Sequence, residues 1–120
     1  MSEPEIALAE LARRLGELPL LDVRSPEEFD GSLGAPCDPR QGHIPGAVNL
    51  PVEEILSLDE TELRARLGLV AGAEVVVYCH VGSRSQVAAH ALRALGYDAR
   101  NYAGSWHEWS RADVAAVTGS

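Results

Sequence analysis

The chain contains no lysine: all ten of its basic residues are arginine, set against eighteen acidic ones, for a net charge of −8 over 120 residues. That balance argues against nucleic acid and anionic membrane as main partners. It also means that any anion site must be built from arginine or backbone amides. Cysteine is scarce too. Cys37 and Cys79 are the only two, too few for a disulfide framework in a chain long enough to fold on its own core. Apolar runs are short, as in Val75-Val76-Val77, far below the roughly 20 residues that span a bilayer. The opening Met1-Ser2-Glu3-Pro4-Glu5 is acidic and lacks the basic and apolar regions of a secretion leader. Disorder is excluded by ordinary globular proportions, 46% hydrophobic and 23% charged. With no repeat and no linker, the composition predicts one cytoplasmic domain, its core over about 5–110 and a tail over 111–120.

What is present alternates. Ile6, Leu8, Leu11 and Leu15 recur at helical spacing, so Glu5 to Leu15 reads as an amphipathic helix stopped by Gly16. The run from Leu18 to Val23 is a buried strand, and Ser25-Pro26-Glu27-Glu28 carries the cap, proline and acids of a helix start. Residues 31–46 are rich in Gly and Pro, a long loop of the kind that is often functional. A short strand over 47–50 closes at Pro51, a helix follows from Leu58 to Leu67, and Glu74 to Tyr78 is a β-branched strand. Ser83 or Arg84 opens a helix to Leu95, with Val87, Ala91, Leu92 and Leu95 on its apolar face and Gly96 stopping it. A last strand from Asp98 to Tyr102 leads to a helical turn at Trp106 to Trp109. Strands alternating with helices predict an α/β domain with a mainly parallel central sheet.

The chemistry concentrates in Cys79-His80-Val81-Gly82-Ser83-Arg84-Ser85. A strand ends at a cysteine, a tight loop follows, and a helix begins. That order puts Cys79 at the carboxyl edge of the sheet, where open α/β folds bind their ligands. Loop amides and a helix N-terminus converge there, forming an anion cradle that lowers a thiol's pKa and makes it a nucleophile. Gly82 lets the loop curl inward, and Arg84 adds a permanent charge able to fork onto an oxyanion. A free cysteine is most often a buried core residue. The polar, arginine-bearing turn that follows Cys79 favours the reactive reading.

Taken with Leu20-Leu21-Asp22-Val23-Arg24-Ser25-Pro26-Glu27-Glu28-Phe29, Gly42-His43-Ile44-Pro45-Gly46-Ala47-Val48-Asn49-Leu50-Pro51 and Tyr102-Ala103-Gly104-Ser105-Trp106-His107-Glu108-Trp109, the cysteine loop makes the chain resemble a rhodanese-family sulfurtransferase domain over nearly its whole length. The resemblance implies a rhodanese-like three-layer α/β fold and a ping-pong reaction. In it Cys79 takes the outer sulfur of thiosulfate as a persulfide and passes it to cyanide or a thiol. It also implies a pocket lined by His80, Val81, Gly82, Ser83 and Arg84, with Arg84 on the donor's sulfonate. Asp22, Arg24 and His43 would support the site, the first two as an ion pair and His43 as a tie on the long loop through a ring hydrogen bond. No metal and no cofactor is implied; a sulfur-relay protein is a further partner.

The long segment from Asp30 to Arg40 is similar to the catalytic half of two-domain sulfurtransferases, in which an arginine that binds the substrate anion closely follows the Asp-x-Arg signature. That position here is Glu28, and Arg40 could supply the charge instead. The cysteine loop has neither the Arg and Lys of a thiosulfate-type loop nor the Cys-Gly-Ser-Gly of a mercaptopyruvate type, so 3-mercaptopyruvate sulfurtransfer and a persulfide carrier stand as alternatives. Cysteine phosphatases and arsenate reductases need five residues between cysteine and arginine to admit a tetrahedral anion. Arg84 follows Cys79 after four, and Ser85 takes the phosphatase position. Cys37 is expected to pack in the loop rather than resolve a persulfide.

Overall fold

The structure, a computed structural model, describes residues 4–119; Met1 to Glu3, in the acidic opening, and Ser120, at the end of the tail, lie outside the described residues. Four strands, β1 (Leu20–Asp22), β2 (Val48–Asn49), β3 (Glu74–Tyr78) and β4 (Asp98–Asn101), form one sheet in the order β2-β1-β3-β4. Every pairing is parallel. Among the described residues six helices flank it: α1 (Leu8–Arg13), α2 (Pro26–Asp30), α3 (Val52–Ser57), α4 (Glu60–Leu67), α5 (Ser83–Ala94) and α6 (Ser105–Trp109).

The central strand shows how the layers arise. Side chains alternate across a strand, and in β3 all of Val75, Val76, Val77 and Tyr78 are buried, because both faces of a parallel sheet are covered. Val75 and Val77 join Leu21, Ile55, Leu63, Ala88, Ala89 and Leu92 beneath α3, α4 and α5. Val76 and Tyr78 join Leu11, Ile44, Trp106 and Trp109 on the other side. Sheet and two helical flanks give the three expected layers.

Several expectations need correction. The first helix covers only Leu8–Arg13, because Glu5 pairs with Asn101 and extends the sheet edge instead. Pro51 does not merely close β2; it caps α3, a six-residue helix too short to show a period. The buried face of α5 is Ser85, Ala88, Ala89 and Leu92, while Val87 is 48% exposed. Small residues, not the largest ones, face the sheet there and let the helix approach it closely.

The segment after α6 is not a loose tail. His43 and Val117 exchange backbone hydrogen bonds of 2.8 and 3.0 Å, and the Gly119 amide donates to the Asp30 carbonyl. Val114 and Ala116 pack on the core that holds the two tryptophans. A side chain at Gly42 would run into the Val117 carbonyl, and its φ of +122° suits glycine alone. Residues 31–46 are thus fixed between the sheet and the end of the chain.

Candidate active site

Cys79 directly follows β3, and the next residues fold back over its sulfur. Gly82 makes this possible: at φ +96° it turns the chain left-handed, and a Cβ there would come within 2.6 Å of the Ala103 carbonyl. Two amides then point at the sulfur, Gly82 N at 3.1 Å and Ser85 N at 3.4 Å. The Ser85 hydroxyl lies 3.3 Å from Sγ and 3.2 Å from the Gly82 carbonyl, so its one proton can turn to the sulfur when that is a thiolate. Burial, with 1% exposure, pushes the Cys79 thiol up; hydrogen bonds from the Ser85 hydroxyl and amide and the Gly82 amide outweigh it, so the pKa lies below its ordinary value.

Two serines in this cradle were not among the expected site residues. Ser85 heads the buried face of α5. Ser105 stands at φ +55°, the one non-glycine residue with positive φ among those described. Its hydroxyl accepts the Cys79 amide at 3.0 Å and donates to the Tyr102 carbonyl at 2.8 Å. A strained backbone kept at a site is often functional, and here the strain holds a hydroxyl beneath the cysteine. Nothing in a sequence marks a left-handed serine.

Asp22, Arg24 and His43 are the residues expected to support the site. Asp22 and Arg24 form a fully buried ion pair, 2.6 Å at its closest, and Arg24 also donates to the Gly42 carbonyl. Its guanidinium lies over the rings of Tyr78 and Trp106. His43 Nδ1 meets the Phe29 carbonyl at 2.7 Å, and the His43 ring stacks on Phe29. These contacts tie the start of α2 and the long loop to the strand that precedes Cys79.

The expected anion grips are engaged elsewhere. Arg40 donates four hydrogen bonds, to the carbonyls of Trp109, Ser110, Ala112 and Val114. It thereby ties the long loop to the end of α6 and to the segment that follows it. Arg84 closes its fork on Glu28, at 2.9 and 3.1 Å. Glu28 also accepts from the Ser25 amide and hydroxyl in the capping box of α2. Burial raises this carboxyl, but Arg84 and Ser25 bring it down to about 2. Of the remaining loop residues, Val81 is 57% exposed at the rim, and Ser83 opens α5. The His80 ring turns to Asp38, Nε2 to Oδ2 being 2.8 Å.

A family model described as "Rhodanese-like domain" matches residues 7–112. The chain is 42% identical over 115 residues to a protein of Haloferax volcanii named "Putative thiosulfate sulfurtransferase", covering 83% of this chain and 40% of that protein. It is 43% identical over 103 residues to "Putative thiosulfate sulfurtransferase SseB" of Mycobacterium tuberculosis, covering 79% and 36%. The chain thus spans less than half the length of these relatives. Among solved structures, one titled "Probable Thiosulfate Sulfurtransferase" superposes with a TM-score of 0.85 at 50% identity, over 95% of this chain and 47% of the other. The human single-domain sulfurtransferase TSTD1 superposes with a TM-score of 0.70 at 34% identity, over 93% and 99%.

Proposed function

Because the chain belongs to the family of rhodanese-like domains, we propose that it is a thiosulfate sulfurtransferase that carries sulfur on Cys79 as a persulfide. The observation that carries this reading is the cradle: two amides and a hydroxyl within 3.4 Å of a buried sulfur. Donors placed in advance around a sulfur stabilise an anion there without reorganisation. They serve both the thiolate that attacks and the persulfide anion that forms.

In the first half-reaction the Cys79 thiolate attacks the outer sulfur of thiosulfate. A new S–S bond forms, the bond to the sulfonate sulfur breaks, and its electron pair leaves with sulfite. In the second, cyanide or a thiolate attacks the outer sulfur of the persulfide, and Cys79 departs as thiolate again. No net oxidation is needed, and the chemistry requires neither metal nor cofactor. We place the reaction in the cytoplasm, in one domain whose packing extends past residue 110 to Val114 and Ala116. No helix among the described residues is long and apolar enough to cross a membrane.

The Glu28–Arg84 pair favours a second reading, in which a partner protein's persulfide charges Cys79 in a sulfur relay. A sulfonate must share Arg84 with Glu28, whereas a persulfide donor needs no arginine. The same observation weakens 3-mercaptopyruvate, whose carboxylate would also want that charge. A phosphatase reading would require the same arginine free to hold a phosphoryl group.

Intact-protein mass spectrometry after incubation with thiosulfate tests the proposal. A gain of one sulfur, about 32 Da for the covalent intermediate, is expected, with none in Cys79→Ser. No gain with thiosulfate but a gain from a persulfidated desulfurase would select the relay. Failure with both would end the enzymatic reading.

A further inference from the structure

Beside the cysteine loop lies a second cluster of reactive side chains, centred on the long loop and α6. Cys37 and Asp38 come from the long loop, His80 follows Cys79, and His107 sits on α6. Their Sγ, carboxylate oxygen and ring nitrogens all lie within 4.8 Å of one another. We propose that these four residues bind a divalent transition-metal ion of the zinc class.

The central observation is Asp38, whose side chain is 0% exposed. Its Oδ2 stands 2.8 Å from His80 Nε2, yet neither atom has a hydrogen-bond partner among the described residues. Distance is not the obstacle, so the oxygen lies off the axis of the ring nitrogen. A hydrogen bond wants that line straight. A shared metal wants it bent: two bonds of about 2.0–2.1 Å meeting at a tetrahedral angle set the oxygen roughly 35° off the axis and about 3.3 Å from the nitrogen. The second histidine faces the other carboxylate oxygen at that spacing, His107 Nδ1 being 3.3 Å from Asp38 Oδ1, and His80 would draw back by about half an ångström from Oδ2 to admit the ion.

The donor set selects the ion. One thiolate, one carboxylate and two imidazoles suit zinc or cobalt in four-coordination. Calcium and magnesium want oxygen ligands, and Asp38 alone would supply them. On binding, the thiol proton of Cys37 passes to solvent. This departs from the expectation, drawn from the family resemblance, that the chain uses no metal; the cluster lies across residues that the family motifs do not join.

Arg111 now stands where the ion would go. Its Nη1 is 2.9 Å from Asp38 Oδ1 and 3.2 Å from His107 Nδ1 and donates to the His107 carbonyl, while its Nη2 donates to the Cys37 carbonyl. A buried carboxylate requires a counter-charge, and the guanidinium provides one. Its side chain is partly exposed and can swing into solvent, so Arg111 and the metal compete for one place.

The test is titration of the full chain, stripped with chelator, with cobalt(II) alone. One equivalent should bind with the intense visible bands of four-coordinate cobalt and a near-ultraviolet thiolate band, and zinc should bleach both. Cys37→Ser should abolish the thiolate band and weaken uptake by roughly tenfold or more. His107→Ala should weaken it as well, Cys79→Ser should change neither band, and Arg111→Ala should tighten binding several-fold. Cys37 and His107 lie at the surface, so loss of fold does not confound those two variants. The site is overturned by failure to see four-coordinate cobalt in large excess of metal, by a thiolate band that vanishes with Cys79→Ser, or by Arg111→Ala binding no tighter.

Discussion

The cysteine loop, residues 79–85, aims its own amides at the sulfur while α6 and β4 hold its carbonyls from outside, whereas the long loop, 31–46, is held almost wholly by side chains and segments far away in sequence. Around Cys79 the amides of Gly82 and Ser85 reach the sulfur, and Gln86 N closes a turn on the Gly82 carbonyl. In the long loop, Arg24 holds the Gly42 carbonyl, Tyr78 accepts the Ile44 amide, and the Trp106 indole donates to the Arg40 carbonyl. Arg40 itself reaches carbonyls 69 to 74 residues further along the chain. Chemistry at a single atom needs short-range geometry that the local chain can impose. Covering and bracing that atom falls to contacts made only when the whole domain is folded.

The largest effect is expected where the two systems join. Arg24→Met leaves Asp22 buried without its partner and removes the tie to Gly42. Breaking a buried pair in this way costs about 3–5 kcal/mol, which urea unfolding would measure. Loss below 1 kcal/mol would show that the pair is not what couples the long loop to the sheet.

Gly82→Val tests the opposite side, a change confined to the cysteine loop. A β-branched residue at φ +96°, close against the Ala103 carbonyl, costs on the order of 1–3 kcal/mol. The loop can relieve that strain by opening, so transfer should fall roughly ten- to hundredfold while stability falls less than in Arg24→Met. Normal turnover in a thiosulfate–cyanide assay would mean that the left-handed turn is dispensable.

The same contrast explains what the sequence made legible. Strand β3, the Ser25 capping box and the turn at Gly82 rest on patterns within a few residues, and each was readable. So was the Asp22–Arg24 pair, whose partners are two residues apart. The partners of Arg40, the carbonyls of Trp109, Ser110, Ala112 and Val114, lie about seventy residues away and belong to no motif, so its engagement there was not legible. The pairing of Arg84 with Glu28 spans 56 residues, so reading either residue alone gave each the wrong freedom. Ser105 escaped notice because positive φ leaves no mark in a non-glycine residue.

Ser85→Ala is a subtler test of the cradle. A hydrogen bond to a charged group contributes about 1.5–3 kcal/mol, so losing the hydroxyl should raise the Cys79 thiol toward its ordinary value. The thiolate is then scarcer at neutral pH. Alkylation by iodoacetamide, followed in a Cys37→Ser background, should slow about tenfold at pH 7 and recover as the solution is made alkaline. A profile that does not move would assign the lowered pKa to the amides of Gly82 and Ser85 alone.

The smallest effect, and the one that best separates donors, belongs to Glu28→Gln. Glu28 falls from the ordinary 4.5 to about 2 in the folded protein. A carboxyl depressed on folding stabilises the fold fully above its ordinary value, and that stabilisation is lost as pH falls from about 4.5 toward 2. At neutral pH, then, Glu28 is ionised and Arg84 is engaged. Glutamine keeps an acceptor for the Ser25 cap but removes the competing charge, so the KM for thiosulfate should fall with little change in kcat. The shift should be only about two- to fivefold, because a partly exposed ion pair contributes little. The acid side of the unfolding curve should also flatten between about 4.5 and 2, since the group that titrated there is gone. An unchanged KM would take Arg84 out of donor binding and leave the sulfonate to the loop amides. A higher KM would mean that Arg84 meets the anion only while Glu28 holds it in place, so that the geometry of the pair, and not a freed charge, sets the donor.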